Sequence, residues 1–395
     1  MSAPEFRATD PPASRITHQA SGSPIRILTA VPICDGHDSA INTINLELVR
    51  HGIEVIYLGY HRSARDIVRA AIQEDARAIG ISSYNGGHVE FFAEVIAFLK
   101  KNGARDIGVF GGGGGTITAA DARIMQKNGV DRIFFAGTPL TEIVEFVKGT
   151  YGGPHGAGIP TASRTTVLTD RRLARLLTAA GLDVRRPAVD VQRWAKPCRV
   201  IGVTGPGGAG KTTLIDELAR RFLGAHPQAR LAILSHDPSL VGQGALLGDR
   251  ATMIYAQDDR VFMRSLATRG QAGGLSPATE RCLQVLKRSG FDLVLVETVG
   301  IGQEAMPFGR GLLGQTVLVM SPDYGSRLQL QKIVMLDAAD IVVVNKSDLA
   351  GAQTAAVEIE QRLALAGRDQ KLARTVAKRH RDPGVAELFG WLTAF

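Results

Sequence analysis

The run GPGGAGKT (205–212) fits the pattern GxxxxGK[ST]. It follows an apolar stretch, RVIGV, and opens a helical one, TTLIDELARRFL, the setting that a phosphate-cradling loop requires. Gly205, Gly207, Gly208, Ala209 and Gly210 bring backbone N–H groups towards phosphate oxygens. Lys211 adds a point charge for the β- and γ-phosphates, Thr212 offers a hydroxyl to Mg²⁺, and Thr213 stands beside them at the helix start. The same letters satisfy GxGxxG, with Asp237 as a ribose acid, so a dinucleotide fold is the competing reading. Two features weigh against it. Lys-Thr directly after the last glycine suits a terminal phosphate and a metal. Asn345-Lys346-Ser347-Asp348 follows the apolar run IVVV, and NKxD reads guanine. Its aspartate accepts hydrogen bonds from guanine N1–H and the exocyclic amine, a pair that adenine does not offer. GTP is the expected nucleotide.

Three carboxylates lie between these motifs. Asp237 ends LAILSHD, Asp249 sits in GALLGDR within a long loop, and Glu297 ends DLVLVE. A nucleotide-bound Mg²⁺ takes one or two carboxylates besides Thr212. Asp249 and Glu297 are the first choice and Asp237 the second, through water; the plain alternative makes Asp237 a helix cap. In ETVGIGQE, Gly300 stands where a γ-phosphate would be sensed. Gln303, in the same run, joins Lys211, Asp249 and Glu297 as the expected hydrolytic set.

A second group of polar residues opens the chain. The apolar run IRILTAV (25–31) leads into ICDGHDSA (33–40), which carries Asp35, His37 and Asp38. Such a histidine is a ligand, a base, or only a polar turn residue. Asp38 with Ser39 reads as a helix cap. The elements around it decide more. Residues 25–150 alternate five β runs with helical patterns, the signature of a doubly wound parallel sheet. Ligands on such sheets bind at the carboxyl ends of the strands. Those ends read CDGHD, SSYNGG, GGGGGT and AGTP, so four polar or glycine-rich stretches share one rim.

Residues 1–24 are polar and rich in Pro and Ser, which reads as a disordered N-terminus with no signal peptide. Residues 151–197 read as a linker with a basic helix, LTDRRLARLLTAAG (168–181). A second α/β unit fills 198–395. The net charge of +8 comes without basic runs or an RNA-binding aromatic motif, so anionic ligands account for it and nucleic acid is not expected. Cys34, Cys198 and Cys282 form no CxxC pair, which fits a reducing cytoplasm. No 18-residue apolar run exists, so no membrane partner is expected.

The stretch DPSLVGQGALLGDRATM, with FMRSLATRGQAGGLS, DLVLVETVGIGQE and NKSD, resembles the G-protein chaperones of acyl-CoA mutases, relatives of the nickel and signal-recognition GTPases. Gln243-Gly244 stands where that family has Gly-Gly, and the loop from Asp237 to Asp249 is about one residue shorter, which bears on switching. In the first half, DGHDSA resembles the DxHxxG of cobalamin-binding domains, Ser82-Ser83-Tyr84 their SxL, and Gly111–Gly115 their GG loop. Ala40 and Tyr84 depart from the pattern in ways that would narrow a ligand tunnel. The resemblance implies a flavodoxin-like (Rossmann-like) cobalamin-binding domain followed by a P-loop GTPase domain. It makes His37 the lower axial ligand of cobalt and Asp35 its orienter. Ser82, Ser83, Gly111, Gly112 and Gly113 then line the path of the cofactor's nucleotide tail. An FMN site on the same sheet is disfavoured because a Ser/Thr phosphate loop after the first strand is missing.

Together the motifs look most like the fused acyl-CoA mutases, in which cobalamin domain, chaperone and mutase barrel share one chain. Here NKSD lies about fifty residues from the end of the 395, too few for a barrel of roughly 250. The expected protein binds adenosylcobalamin, hydrolyses GTP with Mg²⁺, and works with a barrel subunit in trans, with self-association left open. A cobalamin sensor or carrier with a regulatory GTPase, and a GTPase with a relic cobalamin domain, are the alternatives.

Overall fold

The structure is a computed structural model that describes residues 24–33, 35–153, 168–182, 196–240, 242–300, 313–324, 334–337, 339–366 and 369–394. Gln303, Cys34, residues 1–23 and the linker residues 154–167 and 183–195 lie outside the described residues.

Continuous apolar runs suit strands that are covered on both faces. The first five are β1 (Arg26–Ala30), β2 (Glu54–Tyr57), β3 (Ala78–Ser82), β4 (Gly108–Gly112) and β5 (Arg132–Phe134). Helices α1 (Ser39–Arg50), α2 (Ala64–Gln73), α3 (His88–Lys101), α4 (Ala119–Lys127) and α5 (Leu140–Tyr151) alternate with them. The strands run parallel in the order β5-β4-β3-β1-β2. The chain therefore leaves β1 towards β2 and returns to β3 on the other side. The switch point falls between β1 and β3, where the connecting loops part and open a crevice. The basic helix forms as α6 (Asp170–Gly181), capped by the Thr169 side chain, which accepts from Arg172 N. Its apolar face, with Leu173, Leu176 and Leu177, packs into the second half's core against Val200, Phe262 and Leu283.

The second half contains β6 (Arg199–Thr204), α7 (Lys211–Ala225), β7 (Leu231–Asp237), β8 (Ala245–Leu247), β9 (Val261–Ala267), α8 (Thr279–Lys287) and β10 (Leu293–Glu297). It continues with β11 (Gln315–Met320), β12 (Ile341–Val344), α9 (Ala352–Ala366), β13 (Lys371–Arg374) and α10 (Pro383–Thr393). Seven of these strands make a parallel sheet in the order β13-β12-β11-β6-β10-β7-β9. Both halves thus have the parallel α/β architecture expected. Among the described residues no helix is long and apolar enough to cross a membrane.

The expected loop between Asp237 and Asp249 holds a strand. β8 pairs in parallel with β2, with Glu54, Val55 and Ile56 opposite Ala245, Leu246 and Leu247. It is the sixth strand of the first sheet, supplied by the second half of the chain. Ala245 and Leu247 are buried in the first sheet's core with Ile56, Leu58 and Val68.

A buried ion cluster reinforces the junction. Arg26 on β1 donates to Glu54 at 2.5 Å and to Glu74 at 2.8 Å. Glu74 also takes Arg250 Nε at 3.2 Å and the backbone N–H of Ser265 at 3.0 Å. Arg269 reaches Glu54 at 3.0 Å. Burial alone would push the Glu54 carboxyl up, but Arg26 and Arg269 hold it below its ordinary range. Buried charges persist only when paired in this way.

Phe92 on α3 is fully buried in the first core. Phe92→Ala should cost about 3–5 kcal/mol through lost transfer energy and a residual cavity. A urea titration of both proteins would show it as a lower midpoint, whereas an unchanged midpoint would contradict this packing.

Candidate functional site

The switch-point crevice of the first sheet is occupied by Asp35 and His37. Asp35 is fully buried. Its Oδ1 accepts from the His37 backbone N–H at 2.9 Å and faces His37 Nδ1 at 2.8 Å. Its Oδ2 accepts from the backbone N–H of Tyr84 and, at 3.2 Å, from that of Asn85. One carboxylate thus ties the loop after β1 to the loop after β3. Burial alone would raise the Asp35 pKa, yet the hydrogen bonds from His37, Tyr84 and Asn85 hold it below the ordinary carboxylate range. An ionised Asp35 requires His37 Nδ1 to carry the proton. In the neutral ring the lone pair then lies on Nε2, on a side chain that is 64% exposed. Tyr84 shields one side of the ring, with centroids 4.9 Å apart.

Beside His37 lies a cavity of about 530 Å³. Ser82, Gly111, Gly112 and Gly113 line it, with Ile81 and Phe134 among its apolar walls. Ser83 does not reach it; it is buried, and its hydroxyl turns to the Asn85 carbonyl at 3.4 Å. The glycine run answers first to the protein itself. A Cβ on Gly113 would stand 1.9 Å from the Ser83 carbonyl oxygen, so only glycine lets the two loops close over the cavity. Asp38 occupies the N-cap position of α1, but its side chain makes no cap bond. It accepts from Asn42 at 3.1 Å and from the Tyr57 hydroxyl at 3.2 Å instead, which corrects the expected capping role.

In the second half the phosphate-cradling loop follows β6 and opens α7. Gly205, Gly208 and Gly210 have positive φ, while Gly207 is packed against Gly300, whose Cβ would stand 2.5 Å from Gly207 Cα. Lys211 is buried and donates to the carbonyls of Gly205 and Pro206 at 3.0 and 3.1 Å. Thr212 donates to Glu297 Oε1 at 2.6 Å, whereas Thr213 is exposed. Asn345 donates to the Ala209 carbonyl at 2.9 Å, which locks the NKSD segment to the glycine-rich loop after β6. Lys346 has positive φ, and Asp348 pairs with Lys378 at 2.8 Å.

The three carboxylates crowd the same end of the sheet. Asp249 accepts from the Ser235 hydroxyl, and Asp237 Oδ1 accepts from Gly248 N at 3.2 Å. Asp237 therefore holds the loop after β8 rather than capping a helix. Burial, then repulsion from Asp249, pushes Glu297 up to about 8 and lifts Asp237 well above its ordinary range. Burial also raises Asp249 and lowers Lys211. Asp237 Oδ2 and Glu297 Oε2 are buried with no hydrogen-bond partner. Among the described residues no three His, Cys, Asp or Glu side chains converge closely enough to hold a metal alone. A cation here would draw on Thr212 and phosphate oxygens as well, the way Mg²⁺ binds nucleotides.

Some contributors carried little signal in the sequence. Thr375 and Ala377, after β13, donate to Asn345 Oδ1 at 3.0 and 3.1 Å. His236 joins two elements, with Nδ1 2.6 Å from the Glu297 carbonyl and Nε2 2.8 Å from Thr279 Oγ1. Burial drops its pKa to about 4, so it is neutral at pH 7. The short strand before the first pair, KLAR, has no apolar run to mark it.

The family described as methylmalonyl-CoA mutase-associated GTPase MeaB matches residues 158–392. The chain belongs to that family. A B12-binding domain matches residues 25–144, so the two halves are a B12-binding domain and a GTPase domain. The fused isobutyryl-CoA mutase of Cupriavidus metallidurans is 39% identical over 97% of this chain and 36% of its own length. That of Geobacillus kaustophilus is 38% identical over 92% of this chain and 36% of its own. The mouse mitochondrial methylmalonic aciduria type A homolog is 32% identical over 48% of this chain and 45% of its own. The chain spans about a third of the length of the fused mutases it matches.

Asp35→Ala would remove the carboxylate to which the N–H groups of His37, Tyr84 and Asn85 donate, a loss of about 1–3 kcal/mol at pH 7. Because the folded pKa is depressed, this stability is present above the ordinary value of 3.8 and is lost as pH falls through the folded pKa. Urea midpoints of the two proteins should therefore converge in acid. A constant gap across pH would contradict the ionised Asp35.

Proposed function

We propose that this chain is the adenosylcobalamin-binding and GTP-hydrolysing component of an acyl-CoA mutase system. The observation that supports this is the Asp35–His37 pair beside a glycine-lined cavity, on the same chain as a P-loop sequence tied to an NKxD segment. In this reading His37 Nε2 would hold the cobalt of the cofactor. Asp35 fixes the tautomer and raises the basicity of the imidazole, as carboxylates do behind metal-bound histidines. The cavity lined by Ser82 and Gly111–Gly113 takes the cofactor's displaced nucleotide tail. When bound, adenosylcobalamin supplies a cobalt–carbon bond that breaks homolytically. The acyl-CoA itself is assigned to a mutase barrel supplied by a partner chain, and the named fused mutases supply the precedent.

In the GTPase domain the phosphate loop and Lys211 hold the β- and γ-phosphates, and Asp348 reads guanine. The unpartnered oxygens of Glu297 and Asp237, beside the Thr212 hydroxyl, fit a Mg²⁺ whose remaining ligands are phosphate and water. Asp249 joins this set, and Gln303 belongs to the proposed hydrolytic set from the adjoining segment. GTP occupancy biases the arrangement of the two domains and so gates cofactor loading onto the barrel.

Lys211→Ala should abolish GTP turnover in a phosphate-release assay; persistent turnover would place hydrolysis elsewhere. Mixing the chain with a mutase barrel subunit should give acyl-CoA isomerisation that neither shows alone, and no gain in any such mixture would defeat the partner assignment. With Glu297 raised to about 8, most molecules carry a proton there at pH 7. Mg²⁺ must displace it, so the apparent Mg²⁺ affinity should climb from pH 6 towards about pH 8 and then level. Isothermal titration in two buffers of different ionisation enthalpy would detect the released proton, and a pH-independent affinity would contradict it.

A further inference from the structure

We propose that Gln73 and Glu74, in the B12-binding domain, are positioning residues of the GTPase site: they hold Arg250 and through it the adjacent Asp249. The inference rests on the nucleotide site proposed above and extends it across the domain boundary.

The local sequence at the end of α2 breaks a rule. Gln73 is the last helical residue, Glu74 is the C-cap, and Asp75 follows with φ of 49°. Two carboxylates at a helix C-terminus oppose its dipole. Such conflicts persist where another interaction outweighs them. Here the compensation comes from guanidinium groups of both halves. Arg26 comes from the first sheet, Arg250 and Arg264 from the second half, and Glu74 lies within 2.8, 3.2 and 3.9 Å of them.

Arg250 is fully buried and, among the described residues, the bulkiest side chain of that kind. Its Nε donates to Glu74 Oε1 at 3.2 Å, and its Nη2 donates to Gln73 Oε1 at 2.8 Å and to the Met263 carbonyl at 2.6 Å. Three directed bonds fix both the plane and the place of the guanidinium. The preceding residue is Asp249, whose carboxylate turns to Ser235 and the electrostatic field of Lys211. On its other side, the segment is fastened to the B12-binding domain twice more. Gly244 N donates to the Val49 carbonyl at 3.0 Å, and β8 lies in the first sheet. A Cβ on Gly244 would stand 2.0 Å from the Ile53 carbonyl oxygen, so that anchor tolerates no side chain. Asp249 thus rides on a segment clamped at both ends by the other domain.

The test uses the full chain and a fluorescent, non-hydrolysable GTP analogue. Two affinities are measured: that of the analogue in EDTA, and that of Mg²⁺ for the protein–analogue complex. Glu74→Gln keeps the shape and removes the charge that Arg250 and Arg264 face; Gly244→Ala disturbs the segment's other anchor. Each variant should bind the analogue in EDTA as the wild type does. Each should weaken Mg²⁺ about tenfold, the scale on which displaced supports of metal ligands act. Unchanged Mg²⁺ affinity in both variants would overturn the proposal. So would parallel losses of analogue and Mg²⁺ affinity, because a merely structural role lowers both. If Glu74→Gln does not fold, Gly244→Ala alone decides. Failure of the wild type to bind the analogue would instead refute the nucleotide site itself, and the inference with it.

Discussion

Glu74 holds the molecule together in a way that no apolar contact does. It is a carboxylate with no solvent exposure, and it accepts from Arg26, Arg250 and the Ser265 backbone. Burying a charge costs several kcal/mol unless its partners are in place, and removing one partner leaves the others unpaired. The two sheets therefore cannot drift apart in small steps. They are joined with this cluster intact, or the cluster must be rehydrated as a whole. The extra edge strand β8 has the same consequence, because its backbone groups pair with β2 of the other domain. Without it, β2 would present an open edge.

That constraint bears on how two ligands could communicate. The loops after β1 and β3 carry the cobalt-ligand candidate, and β1 begins with Arg26. The nucleotide-side segment carries Asp249 and continues into Arg250. Both lead to Glu74. The nucleotide end is also electrostatically tense, with Asp237, Asp249 and Glu297 all raised by burial, and Asp237 and Glu297 raised further by the charge of Asp249. A bound cation would relieve that tension, and its effect would be felt where the same backbone enters the ion cluster. Coupling between sites needs such an element, whose arrangement both ligands bias.

The fold class and much of the candidate site were legible because they are local. Glycine spacing, a Lys-Thr pair at a helix start and NKxD after an apolar run each occupy a few consecutive residues. Asp35 and His37 were legible for the same reason, two positions apart in one turn. The junction was not. Arg250 and Glu74 are 176 positions apart, and β8 is three residues long within what reads as a loop. β9 hid because Arg264 and Ser265 interrupt its apolar run; Ser265 is buried against Glu74, and Arg264 against Thr178, the Gln73 carbonyl and Glu74. Asp38 was misread in detail: the cap position is local, but Tyr57, which draws its carboxylate away, lies on β2. Ser83 likewise sits in the expected motif yet turns inward, since the backbone at the end of β3 decides which of two adjacent serines faces the cavity.

The proposed function stands or falls on cobalt ligation by His37. Electron paramagnetic resonance of Co(II) cobalamin bound to the full chain, produced with ¹⁵N-labelled histidine, tests it most directly. The superhyperfine lines should be doublets, from one ¹⁵N axial ligand supplied by the protein, and His37→Ala should lose them. Triplets from the cofactor's own ¹⁴N base, present in both proteins, would contradict the assignment.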